Sequence, residues 1–533
     1  MRLADLGRSA AEHARHYLVW SSRHPALFAL HVRAYGAVER LLRAQFGAEA
    51  GVEAIYLSHG LALGECFPGL SDFDLVLVFD APDRLAFYER IRRRWIALRR
   101  FLPINDLTLL SRAEFELWQA LGGGGDPRDE LGHWRCLWGD DRRRDGFDAG
   151  GEQAELDRVA HGLGHFQNLM QVALKEERRS PDFALFARRQ VHKSFWSSIL
   201  ALDRSSLAIP RQRERVAAWM RDHGAPEPVD ELQAMYAGRF QHGAVSRLRF
   251  SAGAQAFRTI NRSLAALRAP RAPLAPPPLL DGPDLPIANH REVEERVAGM
   301  TAAILKVIGD GVQSILLAST GSVRGYAYVV ILADELDAAQ VARALLDLRA
   351  IHRVFDDPWF NEHFPGGIPT VLSRSMFAAR LRVGRSSLQY LHKFRRVLHG
   401  SDLYREALEE SARTVAADMG ADDLLRERLV YSLHLNQVYL RRLKPALLDF
   451  VTLYHPRMAL QRTLRGAPAT AEEAVFLHAR HASGPEGEYP RRFLERHGGK
   501  DLDALERTLD GGAFAEAWPL IRQPLIGAED VPR

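Results

Sequence analysis

SHGLALGECFPGLSDFDLVLVFD, residues 58–80, joins a glycine-containing turn to an acidic pair and then to an apolar run. Because side chains alternate along an extended chain, we expect Asp72 and Asp74 on one face of a strand and Phe73 on the other. The continuous apolar run over 75–79 predicts a buried central strand. Two carboxylates at the mouth of such a strand repel each other unless a cation lies between them, and oxygen ligands of this kind suit Mg²⁺ together with substrate phosphates. This segment therefore indicates metal-assisted chemistry on a phosphate ester.

Two flanking segments extend the pattern. The run AIYL over 54–57 predicts a first strand that leads into the turn. Backbone N–H groups in a turn of small residues can approach a phosphate closely. The run LPINDLTLL over 102–110 predicts a further strand, and it carries another carboxylate, Asp106.

Strand, glycine turn and then S-D-x-D-L at a second strand resemble the polymerase-β-type nucleotidyltransferase superfamily, and the helical stretches that follow resemble those of its aminoglycoside-nucleotidyltransferase-like members. The resemblance implies that Asp72, Asp74 and Asp106 are catalytic and hold two Mg²⁺ ions, with Mn²⁺ as a substitute. One ion would activate the acceptor hydroxyl and the other would steady the leaving pyrophosphate. Further residues would contact the nucleotide, and these are Ser58, His59, Gly60, Gly64, Ser71 and, on a later helix, Lys193.

The chain departs from that family at the glycine turn. The family carries Gly-Ser where this sequence has His59-Gly60. The serine that helps to grip the triphosphate is therefore replaced, and Ser58 or the His59 side chain would have to take over its contact.

The second half of the chain repeats the first in the same order. Gly321 and Gly325 match Gly60 and Gly64. The other matching segments are YAYVVILAD at 326–334 against the second strand, TVLSRSMF at 370–377 against TLLSRAEF at 108–115, and RVLHG at 396–400 against RCLWG at 135–139. We interpret this order and spacing as a duplication.

The acids are lost in the second copy. In this alignment Asp72, Asp74 and Asp106 fall on Tyr326, Tyr328 and Ile368. These side chains cannot hold Mg²⁺ as carboxylates do, so the second copy is expected to be catalytically silent.

We therefore expect an α+β protein with two tandem nucleotidyltransferase-like mixed sheets, each followed by a helical bundle. A proline-rich tract marks the border between the two copies. The expected boundaries are a catalytic nucleotidyltransferase domain at 1–145, a helical bundle at 146–268, a proline-rich linker at 269–288, a degenerate nucleotidyltransferase-like domain at 289–405 and a second bundle at 406–533.

Composition excludes several other classes of protein. Among 533 residues, 71 Lys and Arg stand against 67 Asp and Glu, and a net charge of +4 is too slight to indicate nucleic-acid binding through bulk charge. The two cysteines, Cys66 and Cys136, argue against a disulfide scaffold or a cysteine-based zinc site. The sequence offers no secretory signal pattern and no apolar run of membrane-spanning length, so we expect a cytoplasmic protein without a membrane partner.

The expected activity is transfer of a nucleoside monophosphate from a nucleoside triphosphate to an acceptor hydroxyl, with release of pyrophosphate. The acceptor is either a small molecule or a macromolecule. Two alternatives stay open: a non-catalytic scaffold that binds a nucleotide or a partner protein, and a template-independent RNA or oligonucleotide nucleotidyltransferase. The latter rests on the basic run RIRRRWIALRR at 90–100, for which a solvated helix face with Ile91, Trp95 and Leu98 packed inward is the favoured interpretation.

Overall fold

The computed structural model describes residues 17–121, 134–143, 152–174, 248–266, 290–383, 394–411 and 421–521, apart from gaps at 63, 65, 70, 324, 356, 365–368, 465–467 and 469, together with a few isolated positions. The proline-rich tract and Lys193 lie outside these ranges.

The first half contains four strands and the helices that surround them. The strands are β1 (Val52–Ser58), β2 (Phe73–Phe79), β3 (Ile104–Ser111) and β4 (Arg135–Gly139). The helices are α1 (Pro25–Gly47), α2 (His59–Ala62), α3 (Arg84–Arg99), α4 (Arg112–Leu121), α5 (Glu152–Leu174) and α6 (Leu248–Ala266).

The second half repeats the order of the strands and of the longer helices around them, without a described counterpart of α2 and with one added short helix before its third strand, and then continues into further helices. Its strands are β5 (Val312–Ser319), β6 (Tyr326–Leu332), β7 (Thr370–Ser373) and β8 (Arg395–Gly400). Its helices are α7 (His290–Ile308), α8 (Ala338–Phe355), α9 (Pro358–His363), α10 (Arg374–Val383), α11 (Leu403–Ser411), α12 (Ala421–Arg441), α13 (Lys444–Asp449), α14 (His455–Leu464), α15 (Ala471–His481), α16 (Pro485–His497), α17 (Leu502–Thr508) and α18 (Gly511–Ile521).

The two sheets have the same topology. The strand orders are β3-β2-β1-β4 and β7-β6-β5-β8. In each sheet the first strand pairs antiparallel with two neighbours, while the second and third strands run parallel. The prediction of an α+β fold with two mixed sheets, each followed in the sequence by helices, is thereby confirmed.

The helices that follow each sheet pack on the other sheet. Helices α5 and α6 contact β7, α8 and α10, and they share one apolar core with β5 and β6. Helix α12 contacts β3, α3 and α4, and the apolar core below the first sheet extends to α18. The two halves of the chain are therefore crossed, and each contributes helices that complete the core of the other.

Side-chain amides close the open edge of each sheet. Strand β3 ends the first sheet, and Asn436 and Gln437 of α12 donate hydrogen bonds of 2.7 and 2.8 Å to the carbonyls of Leu109 and Leu107. At the corresponding edge of the second sheet, the Gln167 amide of α5 donates to a β7 carbonyl at 3.1 Å. Because an uncovered strand edge invites pairing with other chains, these contacts protect the sheets as well as anchoring the helices.

A buried polar network fixes α12 against the first sheet. Glu114 is fully buried and accepts hydrogen bonds from the Ser432 hydroxyl, from the Asn436 amide at 3.2 Å and from the backbone N–H of Ser111 at 2.6 Å. The Tyr88 hydroxyl donates to the amide oxygen of Asn436 at 2.6 Å. Since a buried carboxylate is tolerated only when it is well hydrogen-bonded, this network determines where α12 lies.

The basic helix also forms as expected. Ile91 and Trp95 of α3 are buried, which confirms the inward face. Arg90 and Arg94 on its other side pair with Glu49 at 2.8 Å each. None of the helices within the described ranges is both long and apolar enough to cross a membrane.

Cutting the chain in the linker tests the crossed packing. Residues 1–275 and 276–533, produced separately, should each expose one sheet without its covering helices and be aggregation-prone, because large apolar faces and a sheet edge would meet water. Produced together, the two pieces should copurify as a folded 1:1 complex, measured by gel filtration and circular dichroism. If each piece alone is monomeric and unfolds cooperatively, the helices belong to their own sheets.

The polar network gives a second prediction. Asn436→Ala removes three buried hydrogen bonds and leaves their partners unsatisfied, so it should destabilise the protein by about 2–4 kcal/mol in urea unfolding. Asn361→Ala, at an exposed position of α9, is the matched control and should cost no more than about 0.5 kcal/mol. Equal effects of the two changes would mean that the network does not anchor α12.

Candidate functional site

The sequence-predicted site residues gather at one end of the first sheet. Strand β1 ends there with Ser58, which lies opposite Asp74 near the start of β2, and the short helix α2 begins at once after β1. Because β2 and β3 run parallel, Asp106 near the start of β3 is at the same end. Strand direction thus places the acids and the glycine turn at the same end of the sheet.

A bulge places Asp106 beside Asp74. Phe73 pairs with Ile104 and Leu75 pairs with Leu107, so two β3 residues, the second of them Asp106, lie opposite Asp74. Neighbouring strands lie about 5 Å apart, so the two backbones are one strand spacing from each other. The backbones of Asp74 and Asp106 are therefore neighbours at this end of the sheet.

The side chain of Asp106 is engaged by a residue from the second half. Arg441, the last residue of α12, forms an ion pair with the Asp106 carboxylate. Across the ranges that the structure describes, no group of three or more His, Cys, Asp or Glu side chains is arranged to hold a metal ion. The predicted convergence of the three carboxylates is therefore not present in this conformation, while metal binding by Asp72, Asp74 and Asp106 stays a prediction.

A tyrosine missed by sequence reasoning shapes the loop before the acids. The Tyr35 hydroxyl of α1 donates to the carbonyl of Ser71 at 2.8 Å and accepts from the N–H of Gly69 at 3.2 Å, and its ring stacks on Phe73. The Ser71 hydroxyl accepts from the N–H of Phe67 at 2.8 Å. These bonds fix the backbone that immediately precedes Asp72.

The predicted nucleotide-binding residues have diverse surroundings. Ser58 is buried, and its hydroxyl donates to the Asp74 carbonyl at 3.0 Å, which ties β1 to β2. Gly60 lies in α2 and His59 begins it, with the His59 side chain outside the described residues. Gly64 has a φ of 79°, a conformation that favours glycine, and its N–H donates to the carbonyl of Leu61 at 3.2 Å. Contact of these residues with a nucleotide stays a prediction.

The strand register corrects the alignment of the two copies. Thr108 pairs with Val76 in the first sheet, and its counterpart Thr370 pairs with Val329 in the second. Val76 therefore corresponds to Val329. The alignment of the second strand made on the sequence is off by one residue.

The corrected counterparts of the acids are different residues. Asp74 corresponds to Ala327 and Asp72 to Gly325, while the predicted tyrosine counterparts were wrong. Neither a methyl group nor a hydrogen can bind a metal ion. The expected counterpart of Asp106, Ile368, lies outside the described residues.

Burial gives the physical reason for this correction. Tyr326 and Tyr328 belong to the apolar core of the second half, where they take the places that Phe73 and Leu75 hold in the first. The Tyr328 hydroxyl shares a hydrogen bond of 2.8 Å with Thr301, and burial raises its pKa well above the ordinary value. Such a phenol stays neutral and cannot replace a carboxylate.

The glycine turn of the second copy is docked on the C-terminal helices. The Ser322 hydroxyl donates to the Asp449 carboxylate at 2.7 Å, and the carbonyl of Gly321 accepts from the N–H of Ala471 at 3.0 Å. Val323 packs against Leu453 beside these contacts. A carboxylate next to this turn opposes phosphate binding, so its role in the fold is structural.

Comparison of the chain with models of known families, with curated proteins and with solved structures gave no match.

Removing the Tyr35 hydroxyl tests its hold on the loop. Tyr35→Phe keeps the stacked ring but loses two hydrogen bonds, so amide exchange around residues 67–72 should accelerate about tenfold while global stability falls by about 1 kcal/mol or less. Hydrogen exchange read by mass spectrometry measures both quantities.

Tyr431→Phe is the control, because it removes a hydroxyl that donates to buried Glu427 in the C-terminal helices. It should leave exchange of the loop unchanged. Wild-type exchange in Tyr35→Phe would show that another contact fixes the loop.

Proposed function

We propose that the protein is a Mg²⁺-dependent nucleotidyltransferase whose site lies at the end of the first sheet. An oxygen of the acceptor hydroxyl would attack the α-phosphorus of a nucleoside triphosphate. The bond to the β-phosphate would break, pyrophosphate would leave, and the hydroxyl proton would be released.

The observation that carries this proposal is the placement of the acids. Asp72 immediately precedes β2, Asp74 lies near its start, and the bulge of β3 sets the backbone of Asp106 opposite Asp74, at the same end of the sheet as the glycine turn. The equivalent places on β6 hold Gly325 and Ala327, in an otherwise matching sheet. Three acids at a single sheet end, two of which have no carboxylate at the equivalent places of the second sheet, support a chemical role.

The donor set fits Mg²⁺ in kind, because carboxylate oxygens are its usual protein ligands. Asp72 and Asp74 would hold both ions, and Asp106 would hold the one nearer the acceptor. When bound, the ions would neutralise the phosphates and lower the pKa of the attacking hydroxyl. The fit has one condition, which is that Asp106 exchanges its ion pair with Arg441 for the metal.

This chain's own groups would position the nucleotide. The Tyr35 hydroxyl holds the loop that presents Asp72. Gly60, at the start of α2, would offer its backbone N–H to the triphosphate, and Gly64 would do so on giving up its hydrogen bond to the Leu61 carbonyl. The second copy would act as a scaffold. Helices α5 and α6 pack on its sheet, and the chain that follows this sheet forms the helices that cover the first sheet.

A second candidate function is a non-catalytic protein that binds a nucleotide or a partner. The ion pair between Asp106 and Arg441 favours it, because a resident guanidinium already neutralises one of the three acids. Such a protein would bind nucleotides without releasing pyrophosphate.

Acid removal distinguishes the two functions. Asp72→Ala or Asp74→Ala should lower pyrophosphate release at least about a hundredfold, because the metal and the phosphate charge lose a shared ligand. The assay supplies Mg²⁺, each labelled nucleoside triphosphate, and small molecules, RNA or cell extract as acceptors. The thermal midpoint without ligand should hold or rise slightly, since two like charges no longer repel each other.

Asp80→Asn is the matched control, because Asp80 is an exposed aspartate just beyond the opposite end of β2. It should keep full activity. Wild-type turnover in both alanine variants would refute the catalytic assignment, and nucleotide binding without any turnover of the wild type would favour the second candidate.

A further inference from the structure

Arg441 reaches the candidate site from the other half of the chain. It ends α12, and the next residue, Arg442, has a φ of 56°, which stops the helix there. Gln437, one turn earlier, is bonded to the carbonyl of Leu107, the neighbour of Asp106 in β3. The same contact that covers the sheet edge therefore holds the end of α12 beside Asp106.

The ion pair is open to solvent. The side chain of Asp106 is 52% exposed and that of Arg441 is 29% exposed. A ligand that approaches the end of the sheet can reach both groups without unfolding any element. Exposed ion pairs of this kind are weak, so competing charges can separate them.

A second arginine stands beside Arg441. The guanidinium carbons of Arg99 and Arg441 lie 5.0 and 5.8 Å from the centroid of the Trp95 ring. Burial and the charge of Arg99 lower the pKa of Arg441. Two cations share one aromatic platform next to Asp106, an arrangement that an added polyanion would stabilise.

We propose that Arg441 is exchanged between two partners: it neutralises Asp106 while the site is empty and pairs with the triphosphate when a metal–nucleotide complex binds. This inference rests on the proposed function. Mg²⁺ and a guanidinium compete for the same carboxylate, and a guanidinium released from it matches a phosphate bidentately. The second half of the chain would thereby supply a polyphosphate-binding group to the first copy and link binding there to the position of α12.

Isothermal titration of Arg441→Gln tests the exchange with two probes. Mn²⁺ alone should bind at least about tenfold more tightly than to the wild type, because the competing cation is gone. Mg²⁺ with inorganic tripolyphosphate should bind at least about tenfold more weakly, because a charge-assisted contact is lost. Opposite changes for the two probes are the signature, since a merely structural defect would weaken both.

Arg442→Gln is the matched control. Arg442 is adjacent in sequence and pairs with Glu89 and the Phe514 ring instead. Its substitution should leave both affinities within about twofold of the wild type. A change as large as that of Arg441→Gln would overturn the proposal, since it would reflect the end of α12 in general.

Asp106→Asn gives a test that does not depend on the folding of the arginine variants. It frees Arg441 from its carboxylate, so tripolyphosphate without metal should bind at least about fivefold more tightly. Unchanged binding would overturn the proposal.

The outcomes distinguish failure of the Arg441 exchange from failure of the proposed nucleotidyltransferase function. If the wild type binds Mg²⁺ with tripolyphosphate and Arg441→Gln changes neither affinity, the exchange is wrong and the proposed function stands. If the wild type binds neither probe, both are wrong.

Discussion

Two carboxamide side chains on α12, Asn436 and Gln437, hold the open edge of the first sheet, and the arrangement of the chain depends on them. Their bonds to consecutive outward carbonyls of β3 fix the helix along the strand. The hydrogen bonds from Ser432 and Asn436 to the buried Glu114 carboxylate then fix how closely α12 packs against the sheet. Gln167 does the same for the second sheet from the first half. Because both contacts cross between halves, the two sheets of matching topology are held together by helices that each half contributes to the other.

The crossed packing connects the second half of the chain to the end of the first sheet. If the second half only packed beside the first sheet, its removal would have little effect on the candidate site at the end of that sheet. Here the segment after β8 leads into α12, which covers β3 and places a guanidinium on Asp106. The glycine turn of the second copy is bound to the start and middle of the same set of helices through Ser322 and Gly321. The second half is therefore joined to the end of the first sheet by continuous, packed elements.

The elements that depend on a local pattern of residues, above all the strands, could be predicted from the sequence. The strands around 54–57, 75–79 and 102–110 have apolar runs of strand length, and all three exist. The sequence could not predict the crossing, because an apolar face specifies that it is covered and not which helix covers it. The ion pair of Asp106 joins residues from opposite halves of the chain, and nothing local marks it.

The one-residue error in the repeat has a similar physical origin. A slip of one position moves every side chain of a strand to the other face. The sequence alignment set Val329–Asp334 against Leu75–Asp80, and this placed two tyrosines on two acids. The correct register could have been found from side-chain size. In both Phe73-Asp74-Leu75 and Tyr326-Ala327-Tyr328 a small residue stands between two large apolar ones, because only the middle residue faces away from the main core.

The crossed packing also has a consequence for synthesis. Leu107 and the Gln437 amide that caps it are 330 positions apart. At about 5–20 residues per second, the ribosome needs roughly 15 s to a minute to make the segment between them. For that interval the edge of β3 and the apolar face below it emerge without their cover, long enough for many pairing events with other nascent chains. Holdase chaperones, or a slow rate of initiation that spaces the ribosomes apart, would then matter more for the yield of this protein than the stability of its finished fold.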